Sequence, residues 1–184
     1  MTTNDLVDAY AAAARANSCT VHGPVPRDDL ATAVARIVRD DAGTGPIAVA
    51  ARDPALDGLP VLDALVANFD VCSPGDDRWD ECLRTATIGV TGALLAVAEQ
   101  GMLALACGPD APRATSLLPP THVCVVRTGT IVATFAAAIE RAGAGALPSA
   151  LTWIGGPSRT GDLEMVTTLG VHGPKVVEVV LVDA

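Results

Sequence analysis

The stretch Val176-Val177-Glu178-Val179-Val180-Leu181-Val182 decides the fold class, because six of its seven residues are apolar and five of them are β-branched. A continuous apolar run, rather than an alternating one, is typical of a strand that helices cover on both faces. Similar short runs lie upstream, between turn residues. We predict strands at Ile47–Ala51, Ala86–Val90, Met102–Ala106, His122–Val126, Leu151–Ile154 and Val176–Val182.

Segments with helical character separate these runs. They are Leu59–Ala67, Asp77–Arg84, Ala93–Ala98, Val132–Ala142 and Asp162–Leu169. Alternation of strand and helix predicts an α/β fold with a mostly parallel sheet flanked by helices. Two more helices are expected before the first strand, one through Leu6–Arg15 and one opened by Pro26 and the Asp28-Asp29 pair. We therefore expect one domain over 1–184, with N-terminal helices in 1–42 and an α/β core in 46–184.

Composition and charge exclude several classes of partner. The formal net charge is −9, and the chain contains two Trp, one Tyr and two Phe. A nucleic acid would meet a repulsive field and few aromatic platforms, so we expect no nucleic-acid binding. The chain has no apolar run of 18 residues and no basic N-terminal region, so we expect neither a membrane span nor a secretory signal, and a cytoplasmic location.

The five cysteines, Cys19, Cys72, Cys82, Cys107 and Cys124, are scattered and form no C-x-x-C pair. No Cys/His pair has the spacing of metal ligands. We therefore expect reduced thiols that pack as small apolar residues, and no metal site.

The segment Gly155-Gly156-Pro157-Ser158-Arg159-Thr160-Gly161-Asp162 follows a predicted strand and precedes a predicted helix. Two hydroxyls, a guanidinium and the free N–H groups of a helix start together favour a carboxylate or a phosphate. Ligands of parallel sheets collect beyond the carboxyl ends of the strands. The alternative is that Ser158 or Thr160 only caps the helix and that Arg159 pairs with a nearby acidic residue.

A second segment, Gly170-Val171-His172-Gly173-Pro174, predicts a tight turn that presents an imidazole close to the Ser158 loop in sequence. His172 either transfers protons or locks the turn by a hydrogen bond. Glu99, in Ala98-Glu99-Gln100-Gly101, is the other candidate proton-transfer group, or else a solvated carboxylate at the end of a helix. The candidate ligand-binding residues are Gly156, Ser158, Arg159, Thr160, Asp162 and Gly173.

These segments resemble the signature of the LutC/YkgG lactate-utilisation family of LUD-domain proteins. The resemblance rests on Gly156–Glu164, on Leu169–Pro174, on Ser116-Leu117-Leu118-Pro119 with His122, and on Ala98–Gly101. It covers about residues 86–182, and 30–85 more loosely. Gln100 and Met102 stand where the family usually has threonines, which removes two hydroxyls from the expected site.

The resemblance implies a fold related to the NagB/RpiA/CoA-transferase superfamily and participation in the oxidation of L-lactate to pyruvate beside iron–sulfur partner subunits. No flavin or nicotinamide fingerprint is present, so we expect no cofactor on this chain. We expect a small anionic metabolite as ligand, and whether the chain is an enzyme stays open. The alternatives are a non-catalytic accessory subunit of an iron–sulfur lactate-oxidising complex, and a separate enzyme that acts on a phosphorylated or CoA-linked metabolite.

Overall fold

The computed structural model describes residues 2–41, 45–145, 148–161 and 167–184. The helices within these ranges are α1 Thr3–Ala16, α2 Leu30–Asp41, α3 Val61–Val66, α4 Trp79–Thr85, α5 Ala114–Leu117 and α6 Phe135–Gly143. The strands are β1 Thr20–Pro26, β2 Ile47–Val49, β3 Val71–Cys72, β4 Ile88–Gly92, β5 Leu95–Val97, β6 Met102–Cys107, β7 Thr121–Arg127, β8 Ile131–Val132, β9 Ala150–Ile154, β10 Arg159–Gly161, β11 Thr167–Leu169 and β12 Val176–Asp183.

A six-stranded sheet forms the centre of the molecule, in the order β1-β12-β7-β4-β2-β3, and every neighbouring pair is parallel. The predicted α/β class with a mostly parallel sheet is therefore confirmed. The continuously apolar strands lie at its centre, where β12 and β7 are buried almost throughout. Among the described residues, no helix is long and apolar enough to cross a membrane.

The two faces of the central sheet pack against different partners. Helices α2 and α3 cover one face with an entirely apolar cluster that includes Leu30, Leu65 and Val90. Helix α1 and the inner side of a second sheet cover the opposite face through Tyr10, Leu103 and other apolar residues. Burial on both faces explains why the sequence of these strands does not alternate.

The second sheet has the order β8-β5-β6-β9, and helix α6 packs on its outer side. The helix predicted at Ala93–Ala98 is wrong, because Leu95–Val97 is β5, which pairs antiparallel with β6. Periodicity does not separate a short buried strand from a short buried helix when the residues are Ala, Leu and Val. The helix predicted from Val132 begins at Phe135, because Ile131–Val132 forms β8 alongside β5.

The N-terminal segment adds a strand as well as the two predicted helices. Between α1 and α2, β1 joins the edge of the central sheet beside β12. His22 lies within this strand, and its Nε2 is 2.5 Å from a carboxylate oxygen of Glu178. This contact compensates the burial of a carboxylate inside the apolar strand β12.

The prediction of five reduced thiols is wrong for two of them, because a disulfide joins Cys72, at the end of β3, to Cys82 in α4. Their Cα atoms are 6.4 Å apart, within the range that a disulfide spans. The pairing depends on how α4 packs back on β3, which cysteine spacing alone does not reveal. Cys19, Cys107 and Cys124 are free and buried, as expected.

Candidate functional site

The structure brings the Ser158 and His172 segments together, and we call their contact region, residues 155–161 and 167–175, the signature junction. The Ser158 amide donates to the Pro174 carbonyl at 3.0 Å, and the Gly170 amide donates to the Ser158 carbonyl at 2.9 Å. A Cβ added at Gly173 would lie 3.3 Å from that of Ser158, so the His172 turn packs closely over Ser158. The backbone contacts therefore hold the two motifs in a fixed relation.

The helix predicted at Asp162–Leu169 is contradicted at its C-terminal end, since Thr167–Leu169 is the strand β11, paired antiparallel with β10. Arg159 and Thr160 belong to β10. Residues 162–166, including Asp162, lie outside the described residues. The described part of the junction thus offers strand residues and turn residues, where the sequence predicted a helix start.

Arg159 contacts the C-terminal end of α1. Its exposed guanidinium donates from Nη2 to the Asn17 carbonyl at 3.1 Å and to the Ser18 hydroxyl at 2.5 Å. Gly156 lies against the same carbonyl with φ +114°, and a Cβ there would overlap it. Burial raises the pKa of the neighbouring Cys19 thiol to about 11, so this sulfur stays protonated and is a poor nucleophile near neutral pH.

Glu99 lies in the turn between β5 and β6 and not at the end of a helix. The carboxylate is exposed and accepts a hydrogen bond of 2.7 Å from the Gln100 side chain. The turn itself packs on α1, because Gly101 lies against the backbone of its last turn and the Gln100 carbonyl accepts from the Asn17 side chain at 2.7 Å. The turn that carries Glu99 therefore contacts Asn17, and no contact described for Glu99 joins it to His172.

The signature junction lies at the amino-terminal edge of the central sheet, where sequence reasoning expected the carboxyl edge. The His172 turn leads into β12, and the Lys175 amide donates to the Pro120 carbonyl just before β7 begins. Sequence reasoning failed here because β9 belongs to the second sheet and runs antiparallel to β6, so its carboxyl end is not an end of the parallel sheet. His172, Arg159 and Lys175 are all exposed at this edge.

A second polar cluster, at the carboxyl edge, was not identified from the sequence. Asp53 follows β2 and is only 4% exposed. The two oxygens of its carboxylate accept the Ala55 amide and the Gly92 amide, both at 2.9 Å. Burial raises the pKa of this carboxyl group, although the two amides partly offset the effect. One signal was present in the sequence, since Asp before Pro at the end of an apolar run is typical of a capped turn.

His122 lies deep in the same half of the molecule and is fully buried. Its Nε2 is 2.8 Å from the Thr91 hydroxyl, and among the described residues its Nδ1 has no hydrogen-bond partner. Desolvation lowers the pKa of His122 to about 4, so the ring is neutral near pH 7.

Residues 7–182 match the family described as LUD domain. Similar curated proteins include "Lactate utilization protein C" of Deinococcus radiodurans, 40% identical over 95 residues, which are 50% of this chain and 45% of that protein. The protein of the same name from Bacillus subtilis is 37% identical over 115 residues, 58% of this chain and 48% of that protein. The matches thus span about half the length of these relatives.

A crystal structure of a DUF162 family protein from Deinococcus radiodurans has a similar fold. The TM-score is 0.69 at 24% sequence identity, and the superposition covers 99% of both chains. The likeness supports the architecture over the whole chain length.

Proposed function

Because the chain belongs to the LUD domain family, we propose that it serves in lactate utilisation and holds a small carboxylate, such as lactate or pyruvate, at the signature junction. The lactate role follows from the names of its relatives, which match about half of their length. The site is supported by its exposed basic side chains: Arg159, His172 and Lys175 lie at the junction, in a chain whose net charge is −9.

In this proposal, each group at the junction has a separate task. The Arg159 guanidinium pairs with the carboxylate of the ligand, since it presents a planar set of donors that suits this group. Ser158, Thr160, Gly156 and Gly173 provide hydroxyls and close backbone approach. Asp162, which the sequence also suggested as a ligand-binding residue, lies outside the described residues. His172 is the candidate acid–base group beside the ligand, and Glu99, whose turn contacts Asn17 as Arg159 does, is the second candidate.

The binding test is a thermal-shift titration with L-lactate, pyruvate and chloride at constant ionic strength. A ligand at 100 times its dissociation constant stabilises the native state by about 2.7 kcal/mol, or about 5 to 11 °C for a chain of this size. We expect Arg159→Gln to remove the response to pyruvate. Ser18→Ala is the matched control, because it loosens the same anchor on α1 without removing a proposed ligand group. If Arg159→Gln keeps the response, the site assignment is wrong.

The biological role has its own test. A host that cannot grow on lactate because it lacks its LutC-type protein should recover growth when it receives this chain together with the iron–sulfur subunits. Failure to recover, with the protein present and folded, would contradict a role in lactate utilisation.

The second candidate function is that of an accessory subunit that docks on an iron–sulfur partner in the lactate-oxidising complex. One observation favours it: the signature segments expose three apolar side chains, Leu118, Val171 and Val176, around the junction. A partner that covered these side chains would remove apolar surface from water. Co-purification with iron–sulfur subunits tests this function, and Leu118→Gln, outside the junction, should weaken it while ligand-induced stabilisation stays unchanged.

A further inference from the structure

The central sheet has one point at which the direction of its connections reverses. β2 continues to β3 on one side, whereas β4 continues through the second sheet to β7 on the other side. The loops after β2 and β4 therefore leave the sheet in opposite directions and open a crevice between the carboxyl ends of the two strands. Crevices of this kind are where open parallel sheets bind their ligands.

Asp53 lies in this crevice and bridges its two sides. It follows β2, and its carboxylate accepts the amide of Gly92 at the end of β4. None of the ion pairs formed by the described residues includes Asp53. Besides burial, the nearby negative charge of Asp57 also raises the pKa of Asp53. A buried carboxylate with two amide donors and no cation still favours a further hydrogen-bond donor.

The crevice opens into a cleft of about 340 Å³. Its lining includes Asp53, Leu94, Ala106, Arg141, Ala142 and Pro148. The described lining thus combines one carboxylate, one guanidinium and mostly apolar surface. Arg141 is exposed, and within the part of the chain that the structure describes its two terminal nitrogens donate only to the Gly129 carbonyl, at 3.4 Å each, which is a weak contact that an anion would replace.

The inner end of the crevice contains three polar side chains among apolar residues. A small cavity of about 10 Å³, lined by Asp53, Thr91 and Ser116 among others, has room for about one water molecule. The Thr91 hydroxyl is held by the neutral His122 ring at 2.8 Å. Polar groups therefore continue from the Asp53 carboxylate into the core on this face, whereas the α2 and α3 face of the same strands is apolar.

We propose that this cleft binds a short carboxylic acid with a hydrogen-bond donor on the carbon next to the carboxylate, that is, a 2-hydroxy or 2-amino acid. Arg141 pairs with the carboxylate, Asp53 accepts the hydrogen bond from the hydroxyl or ammonium group, and Leu94 with Ala142 covers the alkyl part. The inference rests on the proposed function for the choice of a small acid. The cleft is a different site from the signature junction, because the junction lies at the opposite edge of the central sheet and pairs with the carboxylate of the ligand.

The test is isothermal titration calorimetry with L-lactate, L-alanine and pyruvate at constant ionic strength. The titrations use the Arg159→Gln protein, in which the junction no longer pairs with a carboxylate. Pyruvate has no donor next to its carboxylate, so we expect it to bind this protein at least tenfold more weakly than lactate or alanine. Added to Arg159→Gln, Arg141→Gln and Leu94→Trp should each weaken lactate binding at least tenfold, the first by loss of the cation and the second by filling the cleft. Arg84→Gln, an exposed arginine on α4, is the control and should leave binding within twofold.

Asp53→Asn adds a direct test if the variant folds, and it should reduce the preference for lactate over pyruvate. The inference is overturned if Arg159→Gln protein binds pyruvate as tightly as lactate, if it binds none of the acids, or if both cleft substitutions leave its lactate affinity within twofold. The two proposals are tested separately. Pyruvate binding that Arg159→Gln does not weaken overturns the junction, and lactate binding that the cleft substitutions do not weaken in the Arg159→Gln protein overturns the cleft.

Discussion

Reduction of the Cys72–Cys82 disulfide should destabilise the protein without changing its fold. The bond closes a loop with a sequence separation of 10 residues between β3 and α4. In the chain-entropy treatment, a loop of this length restricts the unfolded chain by about 9 cal/mol/K, which corresponds to about 2.7 kcal/mol at 25 °C. Both sulfurs are buried in a small apolar cluster with Leu83 and Ala86, so the packing that surrounds them persists after reduction.

For a chain of 184 residues, a loss of about 2.7 kcal/mol lowers the melting temperature by about 5 to 11 °C. The assay compares thermal and urea unfolding of the oxidised protein with and without a phosphine reductant. The Cys72→Ala/Cys82→Ala double variant is the control, because reductant should not change its midpoint. Alkylation of the denatured, non-reduced protein should modify three thiols, those of Cys19, Cys107 and Cys124. Five modified thiols, or equal midpoints with and without reductant, would refute the reasoning.

Three further predictions concern single residues. Gly156→Ala should lower the free energy of unfolding by about 1 to 3 kcal/mol, because φ is +114° and the new Cβ meets the Asn17 carbonyl. Urea unfolding measures this change. Gly129→Ala is the control and should have little effect, because a Cβ there meets nothing within 4 Å. Burial lowers the pKa of His122 in the folded state to about 4, whereas the pKa in the unfolded chain is about 6.5. The unfolded chain therefore binds the proton first as the pH falls. The free energy of unfolding should decrease by about 3 kcal/mol between pH 6.5 and pH 4. A His122→Gln variant should show a flatter fall in urea midpoint over this range, and an equal fall would contradict the assignment. Asp53→Asn should lower the free energy of unfolding by about 1 to 3 kcal/mol, because either the Ala55 amide or the Gly92 amide loses its acceptor. Calorimetric unfolding measures this change. An unchanged melting temperature would show that Asp53 does not join the two loops.

The sequence predicted the central sheet well because its strands carry the strongest pattern. The strands β7 and β12 are apolar on both faces, and only a strand buried between two layers has this composition. The second sheet was harder to predict. β5 consists of Leu, Ala and Val, and these residues fit a short helix or a short strand equally well, so the choice is made by the partner strand β6.

The candidate site was predicted in part for a similar reason. The glycines of both signature segments indicated turns, and in the structure the Ser158 and His172 segments contact each other. The edge at which they meet depends on the direction of β9, which is fixed by its pairing with β6 across about 50 residues of sequence. Asp53 escaped notice because a single carboxylate after a strand has no spacing pattern, and its burial follows only from the approach of Gly92.

The position of His122 bears on how the cleft would act. A fully buried ring with a pKa of about 4 stays neutral near pH 7, so it does not balance the Asp53 charge. It accepts or donates one hydrogen bond to Thr91, whose hydroxyl also lies 3.7 Å from the Cys124 sulfur. A polar side chain in an apolar core is costly unless it is bonded, so the Thr91–His122 pair fixes the orientation of the hydroxyl that lines the inner cavity beside Asp53. His122 is therefore a positioning residue, and its replacement should change the affinity of the cleft for hydroxy acids less than the loss of Arg141, while it changes the pH dependence of stability more.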